Sequence, residues 1–225
     1  MSRSSAGGRQ AGRPGRGGGR GGISFSKREL RDLAVAWVAL GAAFTIFIDR
    51  SIAEAAMRGT IDPSTAALAL GVSLATVGVA FLLHELAHKV VAVRFGQVAA
   101  FKADYGMLFL AVMSALAGFL FAAPGAVVHR GRITARENGL IALAGPVTNI
   151  GLAAVFLPLM LFGPGLLGLV GQRGVSINLL LAGFNMIPYG PLDGKKVIGW
   201  SKSVYLAVAV PSVLLAVFAL FGLGL

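Results

Sequence analysis

Between residues 66 and 83 the chain carries no charged side chain, and Ser73 and Thr76 are the sole polar interruptions. A run this long supplies most of the roughly 20 residues a helix needs to cross a bilayer. A crossing segment has to be helical, because no water is present there to satisfy backbone N–H and C=O groups. The run leads into His84-Glu85-Leu86-Ala87-His88-Lys89. On a helix, positions i and i+4 stand one above the other on one face. His84 and His88 can therefore offer two imidazole nitrogens to one metal ion, with Glu85 beside them to take a proton from water. The plainer reading is a helix end whose polar groups snorkel to the interface, as Lys89 is expected to do. Snorkelling accounts for one polar group, but not for two histidines bracketing a glutamate at ligand spacing. Ionisable groups at membrane depth mark function.

The rest of the chain is built in the same way. Of its 225 residues 56% are apolar, against roughly 45–50% in soluble domains, and 13% are charged. Further apolar runs lie at 33–48, 107–128, 138–162, 175–188 and 204–225. The expected fold is an all-α polytopic membrane protein with about five to six transmembrane segments. There is no cysteine, which excludes disulfides and thiolate ligands, so a metal here takes nitrogen and oxygen only. The formal charge of +11 is concentrated in an Arg/Gly-rich tail at 1–26 and in short loops. The tail cannot bury a core and is expected to be disordered. Two readings stand for it. One is a solvated cytoplasmic tail that sets orientation, which the positive-inside rule favours. The other is a patch for anionic lipid or RNA, since arginine pairs well with phosphate. It has no interleaved aromatics, so no specific nucleic acid is expected as a partner. Residues 33–48 resemble a signal segment, with Ala53-Glu54-Ala55 as an A-x-A site, but the site lies far from the run and a retained anchor is expected.

Residues 96–106 alternate loosely and are too short and polar to cross; one or two extended strands are expected there. Residues 145–146, Gly-Pro, are expected to interrupt the span at 138–162, and residues 163–174 to form a glycine-rich turn. A zinc enzyme site takes three protein ligands. Beyond His84 and His88 the candidates for the third are His129, Glu137, Asp104 and Asp193. The first two lie in an arginine-rich loop, Asp104 in the extended stretch. Asp193 follows Pro188-Tyr189-Gly190-Pro191-Leu192, which should break the preceding helix and turn a carboxylate inward.

Three ordered motifs carry a resemblance: His84-Glu85-Leu86-Ala87-His88, Ala144-Gly145-Pro146-Val147-Thr148-Asn149, and Asn185-Met186-Ile187-Pro188-Tyr189-Gly190-Pro191-Leu192-Asp193-Gly194. Over about residues 64–200 the chain resembles the site-2 protease family of intramembrane zinc metalloproteases, as a compact member without PDZ or CBS domains. The resemblance implies one Zn2+ per chain held by His84, His88 and Asp193, and Glu85 as catalytic base. It implies a role toward substrate or transition state for Asn185, and a place near the site for Asn149. It also implies that residues 27–225 form one membrane-embedded protease domain whose substrate is a transmembrane protein or peptide. Gly190 and Lys195 depart from the family pattern, where proline and glycine are common. A metal transporter, or a zinc-binding scaffold without catalysis, would use the same ligands but give Glu85 no necessary role.

The ligand set then constrains topology. If the tail is cytoplasmic, His84 and His88 finish near the cytoplasmic face, and Asp193 must reach them. Residues 107–128 must therefore enter and return as a re-entrant hairpin bending near Gly118 or Pro124-Gly125, the alternative being a true span compensated by a membrane-embedded sheet at 96–106.

Overall fold

The computed structural model describes residues 22–223; most of the Arg/Gly tail, with its expected disorder and lipid contact, lies outside the described residues. The chain is mostly helical with one small sheet, the fold class expected. In order it comprises α1 (Lys27–Ile48), α2 (Arg50–Arg58), α3 (Pro63–Ser73), a π-helical turn (Leu74–Gly78), α4 (Val79–Arg94) and β1 (Val98–Ala103). There follow α5 (Tyr105–Leu116), β2 (Gly125–Arg130), α6 (Ala135–Phe162), α7 (Leu166–Asn185), α8 (Asp193–Trp200) and α9 (Lys202–Phe218). Among the described residues five helices are long and apolar enough to cross a membrane: α1, the continuous Pro63–Arg94, α6, α7 and Lys202–Leu223.

Local chemistry sets the ends. The Ser26 hydroxyl accepts from Glu29 N–H to cap α1. Asp62 caps α3, whose first residue is Pro63, and Thr134 and Glu137 form a reciprocal capping box on α6. At the π-helical turn in the second span the Leu74 carbonyl accepts from Val79 N–H and also from the Trp37 indole N–H, the latter at 3.0 Å. Gly78 leaves the room that the Trp37 ring fills.

Residues 105–130 form a hairpin, out alongside α1 and back. The Tyr105 hydroxyl donates to Asp32 near the start of α1, while Arg50, beyond the end of α1, donates to Ala115 O at 3.3 Å. Helix α5 therefore runs alongside α1. The chain turns at Gly118, whose φ of 92° suits glycine, and comes back in non-helical form. Asp104 N–H then donates to Pro124 O at 3.0 Å and closes the base of the hairpin. The returning limb becomes β2, antiparallel to β1 with Phe101 opposite Val127. In that pair both N–H groups point out of the sheet: Phe101 N–H donates to Glu29 at 3.0 Å, Val127 N–H to Glu85 at 3.0 Å. The sheet is thus strung between two glutamates on two different helices.

Three expectations fail. Lys89 does not snorkel; it is 2% exposed and paired with Glu29, because a carboxylate brought by α1 makes burial tolerable. Helix α6 is not interrupted at Gly145-Pro146 but runs through both. The glycine-rich stretch is a turn only at its start, and α7 begins at Leu166. Gly171 lies against the backbone of Leu159 and Met160, and Gly174 against the Phe156 ring. These glycines bring α6 and α7 together, the usual use of small residues between membrane helices.

Candidate metal centre

His84, Glu85 and His88 occupy the buried face of α4. Asp193 is the first residue of α8 and is buried. It arrives there because α7 ends at Asn185 and the proline-containing turn folds α8 back, with Gly194 packed on the Met186 carbonyl. His84 Nε2 and His88 Nε2 lie 2.9 Å apart, and Asp193 Oδ2 lies 3.4 and 3.1 Å from them. Of the four candidates for a third ligand, only Asp193 joins the histidines, and the three ligating atoms fall within 4.8 Å of one another.

The surrounding bonds say what this cluster fits. His84 Nδ1 is 2.6 Å from Asn149 Oδ1 and His88 Nδ1 is 2.7 Å from Ile141 O. A main-chain carbonyl can only accept. The Asn149 amide is oriented by its NH2, which donates to Ala80 O and to Asn178 Oδ1. Both imidazoles therefore carry their proton on Nδ1 and turn bare Nε2 lone pairs toward each other and toward a carboxylate oxygen. Three acceptors with no donor between them repel unless a cation lies among them, so the donor set fits a metal with nitrogen and oxygen preferences such as zinc. Lys196 Nζ approaches Asp193 Oδ1 at 3.3 Å, leaving Oδ2 to the histidines.

A cavity of about 190 Å³ opens on this cluster. Its walls include Glu85, Asn185, Lys196 and the β2 residues Gly125, Val127 and His129. Glu85 Oε2 accepts from Val127 N–H, so the carboxylate sits between the metal cluster and the outer edge of β2. Asn185 ends α7 on the cavity wall, with its NH2 donating to Leu181 O at 2.9 Å. Asn149 is fully buried behind His84, and its amide is engaged by protein groups on three sides; its geometry supports holding His84 in place rather than meeting a substrate. His129 lines the cavity but stands outside the cluster of three; burial holds its imidazole below the usual histidine range. Glu137 is spent on the α6 capping box, and Asp104 caps α5 by accepting from Met107 N–H.

Some functional positions escape a reading of the sequence. Gly145 is one: a Cβ there would lie 2.5 Å from His84 Nε2 and from His88 Nε2. Its glycine makes room for the imidazoles and does not break α6. Lys196 and Asn178 are others. A signal for the caps was present, since Thr134-x-x-Glu137 has capping-box spacing.

Comparison with known proteins agrees with this chemistry. Over 201 residues the chain is 39% identical to "Putative zinc metalloprotease MJ0611" of Methanocaldococcus jannaschii, spanning 88% of this chain and 97% of that protein. It is 34% identical over 143 residues to "Putative zinc metalloprotease YwhC" of Bacillus subtilis, spanning 55% of this chain and 65% of that one. No protein-family model and no solved structure matches. With nearly the whole length of the archaeal relative aligned, the chain belongs to the family of zinc metalloproteases that these two proteins represent.

Proposed function

We propose that this zinc metalloprotease is of the site-2 type and hydrolyses peptide bonds within the transmembrane segments of other proteins. One observation carries the reading: three convergent acceptors, His84, His88 and Asp193, lie beside a glutamate and a strand edge, inside helices apolar enough to span a bilayer. In this reading the three side chains hold one zinc ion per chain. Bound zinc supplies a Lewis acid that polarises the scissile carbonyl and makes water more acidic. Glu85 takes the proton of the attacking water and passes it to the departing amine. Asn185, on the cavity wall, is placed to donate to the carbonyl oxygen as charge develops there.

A substrate helix keeps its peptide bonds in its own hydrogen bonds and has to unwind to be cut. An extended segment then needs new partners, which a strand edge provides. The strand expected from the sequence, within 96–106, is one candidate for that edge. The outer edge of β1 is instead occupied by α1, and the edge that faces the cavity is that of β2, with the backbone of Gly125, Val127 and His129. Strand addition is therefore assigned to β2. By the positive-inside rule, Arg94, Arg130, Arg132 and Arg136 favour an orientation with the metal end of α4 and the base of the hairpin toward the cytoplasmic face of the cell membrane. Five crossings then leave the C-terminus on the other side.

The test uses the purified full chain, loaded with zinc, and a detergent-solubilised single-span substrate. Cleavage by the native protein and none by Glu85→Gln at equal zinc content is expected. Cleavage by Glu85→Gln at the native rate would remove the glutamate base, and zinc uptake into sealed vesicles holding the same protein, with no cleavage, would replace the protease reading.

A further inference from the structure

Glu29 and Lys89 form a buried pair that the reaction as described does not use. Lys89 lies on α4 next to His88. Its ammonium donates to both Glu29 oxygens, at 2.6 and 2.7 Å, and to Ser24 O. It also lies 3.7 Å from the centre of the Phe25 ring. Glu29 has one more bond: its Oε1 accepts from Phe101 N–H on the outer edge of β1. One turn along α1, Asp32 repeats the arrangement, accepting from Ala103 N–H at 3.4 Å and from the Tyr105 hydroxyl at 2.7 Å. Both carboxylates are 3% exposed. Successive outward N–H groups of β1 thus meet carboxylates of α1, where a neighbouring strand would place carbonyls.

We infer that Glu29 and Asp32 are positioning residues for proteolysis: they cap the outer edge of β1, so that β2 is the edge left to take a substrate strand, and Lys89 ties this cap to the turn of α4 that carries His88. The inference rests on the strand-addition reading above. An open strand edge is a ready template for pairing with another chain. With two strands in the sheet, a segment bound on the β1 side would lie about three strand spacings, or about 14 Å, from one bound on the β2 side. That distance puts it beyond reach of Glu85 and the metal cluster, so an uncapped β1 edge would hold substrate unproductively. The cap also fixes the sheet laterally. Phe101 packs edge-on against Phe81 of α4, with ring centres 5.6 Å apart, and its N–H is fastened to α1. The opposite strand is thereby held at the height where Val127 meets Glu85.

Two double variants separate this role from simple stabilisation. Glu29→Gln with Lys89→Met removes both charges but keeps an oxygen acceptor for Phe101 N–H. Glu29→Met with Lys89→Met removes the charges and the acceptor. Neither leaves a lone buried charge, so both should fold. Zinc content, KM, kcat and amide hydrogen exchange are measured on the full-length protein with the single-span substrate. The Gln/Met pair is expected to stay within about twofold of the native KM. The Met/Met pair is expected to lower kcat and KM together, roughly tenfold each, because substrate held on the β1 side is withdrawn from turnover, and to speed exchange at the Phe101 amide. Equal KM in the two double variants overturns the inference while leaving the protease reading intact; absence of Glu85-dependent cleavage by the native protein overturns the protease reading itself. If the Met/Met pair does not fold, Asp32→Leu against Asp32→Asn makes the same contrast, with exchange read at the Ala103 amide.

Discussion

Replacing Gly145 by alanine is a one-methyl perturbation aimed at the metal cluster. The added Cβ would sit 2.5 Å from His84 Nε2 and His88 Nε2, against an ordinary contact distance of about 3.4 Å. The imidazoles or the two helices must therefore give by about 0.9 Å. Overpacking of this kind costs about 1–3 kcal/mol, which a helix held by several neighbours can survive. Metal sites tolerate far less, about 0.2 Å in ligand distance. The imidazoles cannot simply swing aside, since each is pinned through Nδ1, to Asn149 and to the Ile141 carbonyl. The displacement should fall on the ligands, lowering zinc affinity by about 10- to 100-fold, or roughly 1.4–2.8 kcal/mol. Competition with a zinc-buffering chelator measures this directly, with helicity followed by circular dichroism. Gly151, on the same helix, has nothing within 4 Å of its Cβ position, so Gly151→Ala is the matched control and should bind zinc like the native protein. Native zinc affinity in Gly145→Ala would refute the claim that this glycine exists to make room for the histidines.

Asn149→Ala should weaken zinc binding about 10- to 100-fold while the protein still folds, because it frees His84 Nδ1 without touching a ligand; the same chelator competition reads it. Lys89→Met alone leaves Glu29 buried without its partner and should destabilise by about 3–5 kcal/mol, with the added Glu29→Met restoring most of the loss; denaturation midpoints in detergent check both. The chain has no cysteine, so a single Arg132→Cys reports topology cleanly: labelling from the cytoplasmic side alone is expected, and labelling from outside alone contradicts the re-entrant hairpin. Removing zinc with a chelator should abolish proteolysis, and adding zinc back should restore it; activity that survives full metal removal contradicts the proposed chemistry.

Much of this protein is local and is therefore legible in the order of its residues. The spans follow from apolar length, since a bilayer leaves the backbone no alternative to helix. The spacing of His84 and His88 is a property of one helix turn, and so is the place of Glu85 beside them. Even a chain that doubles back over 107–128 follows from the requirement that Asp193 reach the histidines. What the sequence could not decide depends on contacts between residues far apart in the chain. Four residues were chemically able to be the third ligand; Glu137 and Asp104 turned out to be caps and His129 a cavity wall, because their neighbours in space engage them first. Gly145, Gly171 and Gly174 read as chain breakers by propensity, yet they lie inside helices, because missing side chains there let imidazoles and a second helix approach. Lys89 read as an interfacial cation and is buried, because α1 brings Glu29 to it across 60 residues of chain. The strand edge that faces the cavity belongs to β2 and not β1 for the same reason: α1 supplies the carboxylates that meet one edge of the sheet, and α4 supplies the one that meets the other. Periodicity settles which segments are helices; only packing settles which polar group each buried polar group meets.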